Sequence, residues 1–174
     1  MQLFRIKNNY VSTDQETGEM AKFKDEYLVS AVNYTDAEAF IVEYNEINGL
    51  NKYSPADYEI SKDKITPSDI YLNDVIAIDM NPGLKSNNFA ELYFSGENDR
   101  LFGITVKYFG NKEEGTKTFT ETYYIPGYDM ENAVNYFNTK IVDKMADYMI
   151  TKTTADKMCE LYITHDILES IRNR

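Results

Sequence analysis

The residues able to do chemistry in this chain are few, and their spacing assembles little of it. The single histidine, His165, stands in Ile163-Thr164-His165-Asp166. A histidine held by an aspartate is the arrangement of an oriented general base. Neighbours in an extended strand point to opposite faces, so these two are read as unpaired and His165 as a surface or structural residue. The single cysteine, Cys159, has Met158 and Glu160 beside it. With no basic neighbour to lower its pKa, it is read as a buried, inert thiol. One cysteine and one histidine exclude an internal disulfide, a thiolate metal cluster and any site built on several histidines. Asp69, Asp74 and Asp79 are evenly spaced, but five residues apart, which fits neither an EF-hand loop nor a compact metal motif. The eight glycines form neither a Walker loop nor a dinucleotide fingerprint, and no serine has a nucleophile-elbow context. No residue is therefore assigned a catalytic, cofactor-binding or metal-binding role, and no cofactor is expected.

Charge narrows the partners. Twenty-nine acidic residues against eighteen basic ones leave a net charge of -11. A positive field that gathers nucleic-acid backbone is thereby disfavoured. The acids are spread along the chain and read as a solvated surface. The sharper alternative is an acidic face that docks on a basic protein. Tyrosine is the other unusual feature, at 15 residues. Tyr10, Tyr27, Tyr108 and Tyr123 fall on expected core faces. Tyr53, Tyr58, Tyr71, Tyr124 and Tyr148 do not, and exposed tyrosine brings area and a hydrogen bond to protein interfaces. A base-stacking platform would need flanking cations, and Arg100 to Lys117 carries only Arg100, Lys107, Lys112 and Lys117.

The elements that would position these residues occur twice. Leu3-Phe4-Arg5-Ile6 returns as Leu101-Phe102-Gly103-Ile104, and Tyr10 as Tyr108. Phe23 to Val29 returns as Phe119 to Ile125, and Tyr34-Thr35 as Tyr128-Asp129. Ala90 to Phe94 is echoed by Cys159 to Ile163. Within each half the apolar residues first alternate, as in a strand with one buried face. Polar, glycine-bearing stretches around Gly18 and Gly115 supply hairpin turns. A helix follows. Thr35-Asp36-Ala37-Glu38 is a capping-box pattern, with Ala37, Phe40, Ile41, Tyr44 and Ile47 as its apolar stripe and Gly49 as its stop. Asp129 is the second cap, before Met130, Ala133, Val134, Phe137 and Ile141. Final strands are expected at Phe89 to Ser95 and Met158 to Thr164. The third strand of the first half is either Tyr58 to Lys62 or Val75 to Asp79.

These signals predict an α+β fold: a tandem duplication of a β-β-α-β-β unit, with antiparallel sheets and helices on one face. The first repeat spans 1-97, with an insertion at about 63-88 that includes the turn Asn81-Pro82-Gly83. The second spans 98-174.

The hairpin opening at Leu3-Phe4-Arg5-Ile6, the phrase Glu26-Tyr27-Leu28-Val29-Ser30-Ala31 and the helix start Thr35-Asp36-Ala37-Glu38-Ala39 resemble an uncharacterised duplicated α+β domain family, a domain of unknown function of Bacteroidetes and their phages. Ala90-Glu91-Leu92-Tyr93-Phe94, with Asn98 to Phe102 after it, is similar to the join between that family's halves, and Ala146-Asp147-Tyr148 also fits. The resemblance implies a bacterial or phage source and carries over no functional residues.

The expected function is accordingly a non-enzymatic protein-interaction protein, as a small phage virion structural or accessory component. Its partners would be virion proteins or a second copy of itself. The first alternative is an acidic anti-defence or regulatory factor that binds a basic site on a host protein. The second is a small-ligand binder or hydrolase with a cleft between the repeats. No signal peptide, membrane span or lipidation site is read at either end, so a cytoplasmic or virion location is expected, without a membrane partner.

Overall fold

The first strand, β1 (Gln2–Thr13), alternates buried and wetter residues and turns back at Asp14 into β2 (Met20–Ala31). The Asp14 side chain accepts from the Glu16 and Thr17 amides, and Gly18 takes φ 71, a conformation that L side chains rarely adopt. Helix α1 (Tyr34–Ile47) follows, then β3 (Asp57–Lys62), a short 3-10 turn at Pro67–Asp69, β4 (Ile76–Asp79) and β5 (Phe89–Phe94). The second half gives β6 (Arg100–Tyr108), β7 (Phe119–Gly127), α2 (Met130–Tyr136), β8 (Tyr148–Ala155), β9 (Glu160–Thr164) and α3 (His165–Arg172). These come from a computed structural model that describes residues 1–79 and 89–174. The expected turn at Asn81-Pro82-Gly83 lies outside the described residues. The α+β class holds: two sheets, mostly antiparallel, and three α-helices among the described residues.

The chain folds as two compact units. Unit one comprises Met1–Pro67, Ile78–Tyr93 and Met158–Arg174. Its sheet runs β3-β1-β2-β9-β5-β4. Helix α1 covers one face, where Phe40 and Ile41 bury against Ile6, Tyr27, Val29 and Tyr162. Successive strand residues point to opposite faces, so burial of Leu161, Tyr162 and Ile163 together means that β9 is covered on both. Leu168 and Ile171 of α3, which contacts β9, are buried too. Unit two comprises Ser68–Ala77 and Phe94–Lys157, with a sheet ordered β7-β6-β8. Ala133 and Phe137 bury against Phe102, Ile104, Val106 and Ile125.

The internal geometry of the two units matches closely. Phe4 pairs with Val29 and Tyr10 with Phe23 in one; Phe102 pairs with Ile125 and Tyr108 with Phe119 in the other. The third-strand question closes on Asp57–Lys62, which pairs antiparallel with β1 as β8 does with β6. The helix caps also correspond. Asn33 accepts from the Asp36 amide, and Asp129 from the Asn132 amide. Asn33, rather than Thr35, is thus the cap of α1, and the helix begins one residue before the expected box. Gly49, at φ 65, follows its end as expected. Ile47 and Met130, both expected in the apolar stripes, are exposed. Helix α2 continues into a π-helical turn at Phe137–Ile141.

The final strands depart from expectation. Met158 to Thr164 was to close the second unit's sheet. Instead β9 lies in unit one, parallel to β2 through Leu28–Leu161 and antiparallel to β5 through Leu92–Leu161. A strand apolar on consecutive positions needs a slot buried on both sides. The gap between β2 and β5 provides one. In unit two the parallel place beside β7 is taken by Ser68–Ala77: Ile70 bridges Tyr124, and the Asn73 side-chain amide donates to the Pro126 carbonyl at 2.6 Å. So Asp69-Ile70-Tyr71-Leu72, not Ala90 to Phe94, occupies the position in unit two that Glu160-Leu161-Tyr162-Ile163 occupies in unit one.

Candidate functional site

A connected set of polar side chains lies on the α1 face of the unit-one sheet. It comes from a spacing rule. In a strand, residues two apart share a face, so an acid two positions before a tyrosine can receive its hydroxyl. Asp25-Glu26-Tyr27, Glu121-Thr122-Tyr123 and Glu160-Leu161-Tyr162 all have this form. Tyr27 donates to Asp25 at 3.2 Å, Tyr123 to Glu121 at 2.6 Å, and Tyr162 to Glu160. Tyr10 adds a second donor to Asp25 at 2.7 Å. In unit two the matching Tyr108 bonds the Tyr123 hydroxyl at 2.7 Å. Sequence reasoning placed Tyr10, Tyr27, Tyr108 and Tyr123 on core faces but missed Tyr162 and the acid-x-tyrosine signal that wires the set.

In unit one the network reaches further. Tyr162 also donates to Glu91 at 3.3 Å. Its ring sits 4.8 Å from Phe40 and 5.8 Å from Tyr44, centroid to centroid. Burial is the main cause that holds the Tyr27 and Tyr162 phenols far above their ordinary range, with neighbouring hydroxyls and carboxylates adding to it. Such phenols are packed hydrogen-bond donors. Burial also raises the Glu160 carboxyl, partly opposed by the Tyr162 bond. It raises Glu91 likewise, with the Glu160 charge adding to it.

The pair predicts a pH dependence. Below the ordinary carboxyl value of 4.5 both folded and unfolded chains hold these protons. As pH climbs, the unfolded chain releases them first, so stability from the pair falls until the folded carboxyls ionise too. Glu160→Gln should therefore lose less stability than the native chain as pH rises from 4.5, in urea titrations at each pH. An identical pH slope in both proteins would contradict the raised carboxyls.

The other singled-out residues do not join this network as catalysts. His165 is half-buried and opens α3, rather than lying within a strand. Cys159 is exposed, contrary to expectation, and stands just before β9, whereas the neighbouring Met158 is buried. Desolvation, then the nearby acids Asp25, Glu160 and Glu26, still holds its thiol up, against a bond from the Glu26 backbone. Asp69 and Asp74 belong to unit two and Asp79 to unit one. No group of three or more metal-capable side chains converges among the described residues. Arg5 is tied at 2.7 Å to Asp63 and at 3.1 Å to Glu26. Of the five tyrosines expected at an interface, only Tyr53 is exposed. Tyr124 is buried; Tyr71 packs on Tyr123, Tyr148 on Phe137, and Tyr58 donates to Glu38.

Four of the exposed apolar side chains lie elsewhere, at the turn from second strand to helix in each unit. Val32 and Tyr34 flank the Asn33 cap, at 64% and 50% exposure. Tyr128 and Met130 flank the Asp129 cap, at 60% and 48%. The same two positions are thus bare in both units.

No helix among the described residues is long and apolar enough to cross a membrane. The family described as Domain of unknown function (DUF4494) matches residues 2–165, and the chain belongs to that family. No curated protein and no solved structure matches it.

Proposed function

We propose that this chain is a non-enzymatic protein-interaction protein that presents one docking tip on each of its two units. The observation that carries this reading is the matched exposure at Val32/Tyr34 and Tyr128/Met130. Burial accounts for apolar residues retained in a core, because it stabilises the fold. It gives no account of apolar residues held in solvent twice at one position, whereas a contact surface does. The buried tyrosine and glutamate side chains are meanwhile drawn into packing networks, such as Tyr162 with Glu160.

Two further elements belong to the same proposal. The matching strand registers and caps support descent of both units from one duplicated β-β-α-β ancestor. The resemblance to a family of Bacteroidetes and their phages favours a virion accessory or structural role, in the cytoplasm during assembly and in the particle afterwards.

The test combines particle content with surface substitution. The native chain should appear in purified phage particles, or form a defined oligomer by light scattering. A Val32→Asp, Tyr128→Asp variant should keep its circular dichroism and lose that assembly. A monomer absent from particles would sink the reading. The net charge of -11 favours a second reading, an acidic factor on a basic host protein. Its binding would weaken steeply with salt.

A further inference from the structure

We infer that the unit-one tip binds a protein segment carrying a large apolar side chain next to a lysine or arginine; this rests on the interaction reading above. Beside Val32 opens a cavity of about 260 Å³. Its buried floor is Ala31 and Phe40, with Phe89 as a wall. Val32, Asp36 and Ala39 stand exposed on the rim. The space falls below the roughly 300–1,000 Å³ of small-molecule pockets. Its largely apolar lining selects an apolar side chain.

Charge selects the flanking residue. Asp36 is the one ionisable side chain on this lining, it is exposed, and no ion pair among the described residues involves it. The Ser30 hydroxyl beneath is already engaged, accepting from the Thr164 amide at 3.2 Å. Met1 and Thr164 complete the lining, on which Asp36 is the one anionic side chain, within a chain of net charge -11. A cation beside the inserted apolar group complements it, and the long-range field favours the approach of such a segment.

The test starts from a display library of random peptides selected on the full chain. Enriched sequences should share a leucine-, methionine- or phenylalanine-sized residue adjacent to Lys or Arg. Ala39→Phe places a ring over the mouth from an exposed helix position, and should weaken a synthetic copy of the winning peptide about ten- to hundredfold. Ala39→Leu serves if the larger variant melts early. Asp36→Asn should weaken it several-fold and flatten its salt dependence. Met145→Ser, at an exposed site in the other unit and outside both tips, should leave it unchanged. Winning peptides that bind Ala39→Phe and the native chain equally would overturn the pocket, yet leave the interaction reading standing on its particle test. A library that yields no binder would also overturn it.

Discussion

Leu161→Ala is expected to cost about 2–5 kcal/mol and to speed amide exchange in β2, over Met20–Ala31, while β7 stays protected. Ile70→Ala should cost a similar amount and do the reverse, loosening Phe119–Gly127 while β2 is spared. The argument is one of membership. Leu161 comes late in the sequence but lies between Leu28 and Leu92 in unit one. Ile70 comes early but bridges Tyr124 in unit two. Both side chains are essentially without solvent exposure, so truncation leaves a cavity rather than a wetter surface. Native-state hydrogen exchange by mass spectrometry resolves the pattern peptide by peptide. If each variant loosens its sequence neighbours instead, so that Ile70→Ala opens β2, the assignment of the two arms is wrong. Equal loosening of both strands in both variants would mean that the units open together.

This exchange of arms marks the limit of what the sequence made legible. Local patterns were readable because they are enforced locally. Alternation in Phe102, Ile104, Val106 and Tyr108 needs only one buried face, and the bends at Gly18 and Gly115 need only a positive φ. The helix start was close: Asn33 and Thr35 can both cap, and nothing in the sequence ranks them, whereas Asp129 had no rival in its turn. Which sheet a strand enters depends on a slot made by residues far along the chain, such as Leu28 and Leu92 on either side of Leu161. Glu160-Leu161-Tyr162 and Asp69-Ile70-Tyr71 carry the same acid-apolar-tyrosine order, and that order signals the matched role. The echo with Ala90 to Phe94 is a different relation: Ala90 pairs with Ile163 and Leu92 with Leu161 as strand neighbours. The tips were hidden for a related reason. Val32 and Tyr34 read as ordinary apolar residues at the end of a strand and the start of a helix, and only their exposure in both units distinguishes them.

The buried amide pair in unit one gives the second large effect. Asn8 on β1 and Asn45 on α1 are both buried and bond each other reciprocally, at 2.7 Å and 3.1 Å. Unit two builds the matching place differently: Val106 is buried there, and the half-buried Ile141 packs into the same cluster. An apolar pair is therefore compatible with this fold. Asn8→Val alone strands the Asn45 amide in a dry site and should cost about 1–3 kcal/mol; Asn45→Leu alone should do the same to Asn8. Both substitutions together remove the donors and acceptors at once, and should return most of that loss. A double-mutant cycle by urea denaturation measures the coupling, expected at about 0.5–3 kcal/mol. Additive single effects would refute it, and would mean that each amide finds water when its partner is removed. A strong coupling would instead show that the amides are held for pairing, with α1 fixed in register on β1 by a bond that a greasy contact could replace in energy but not in direction.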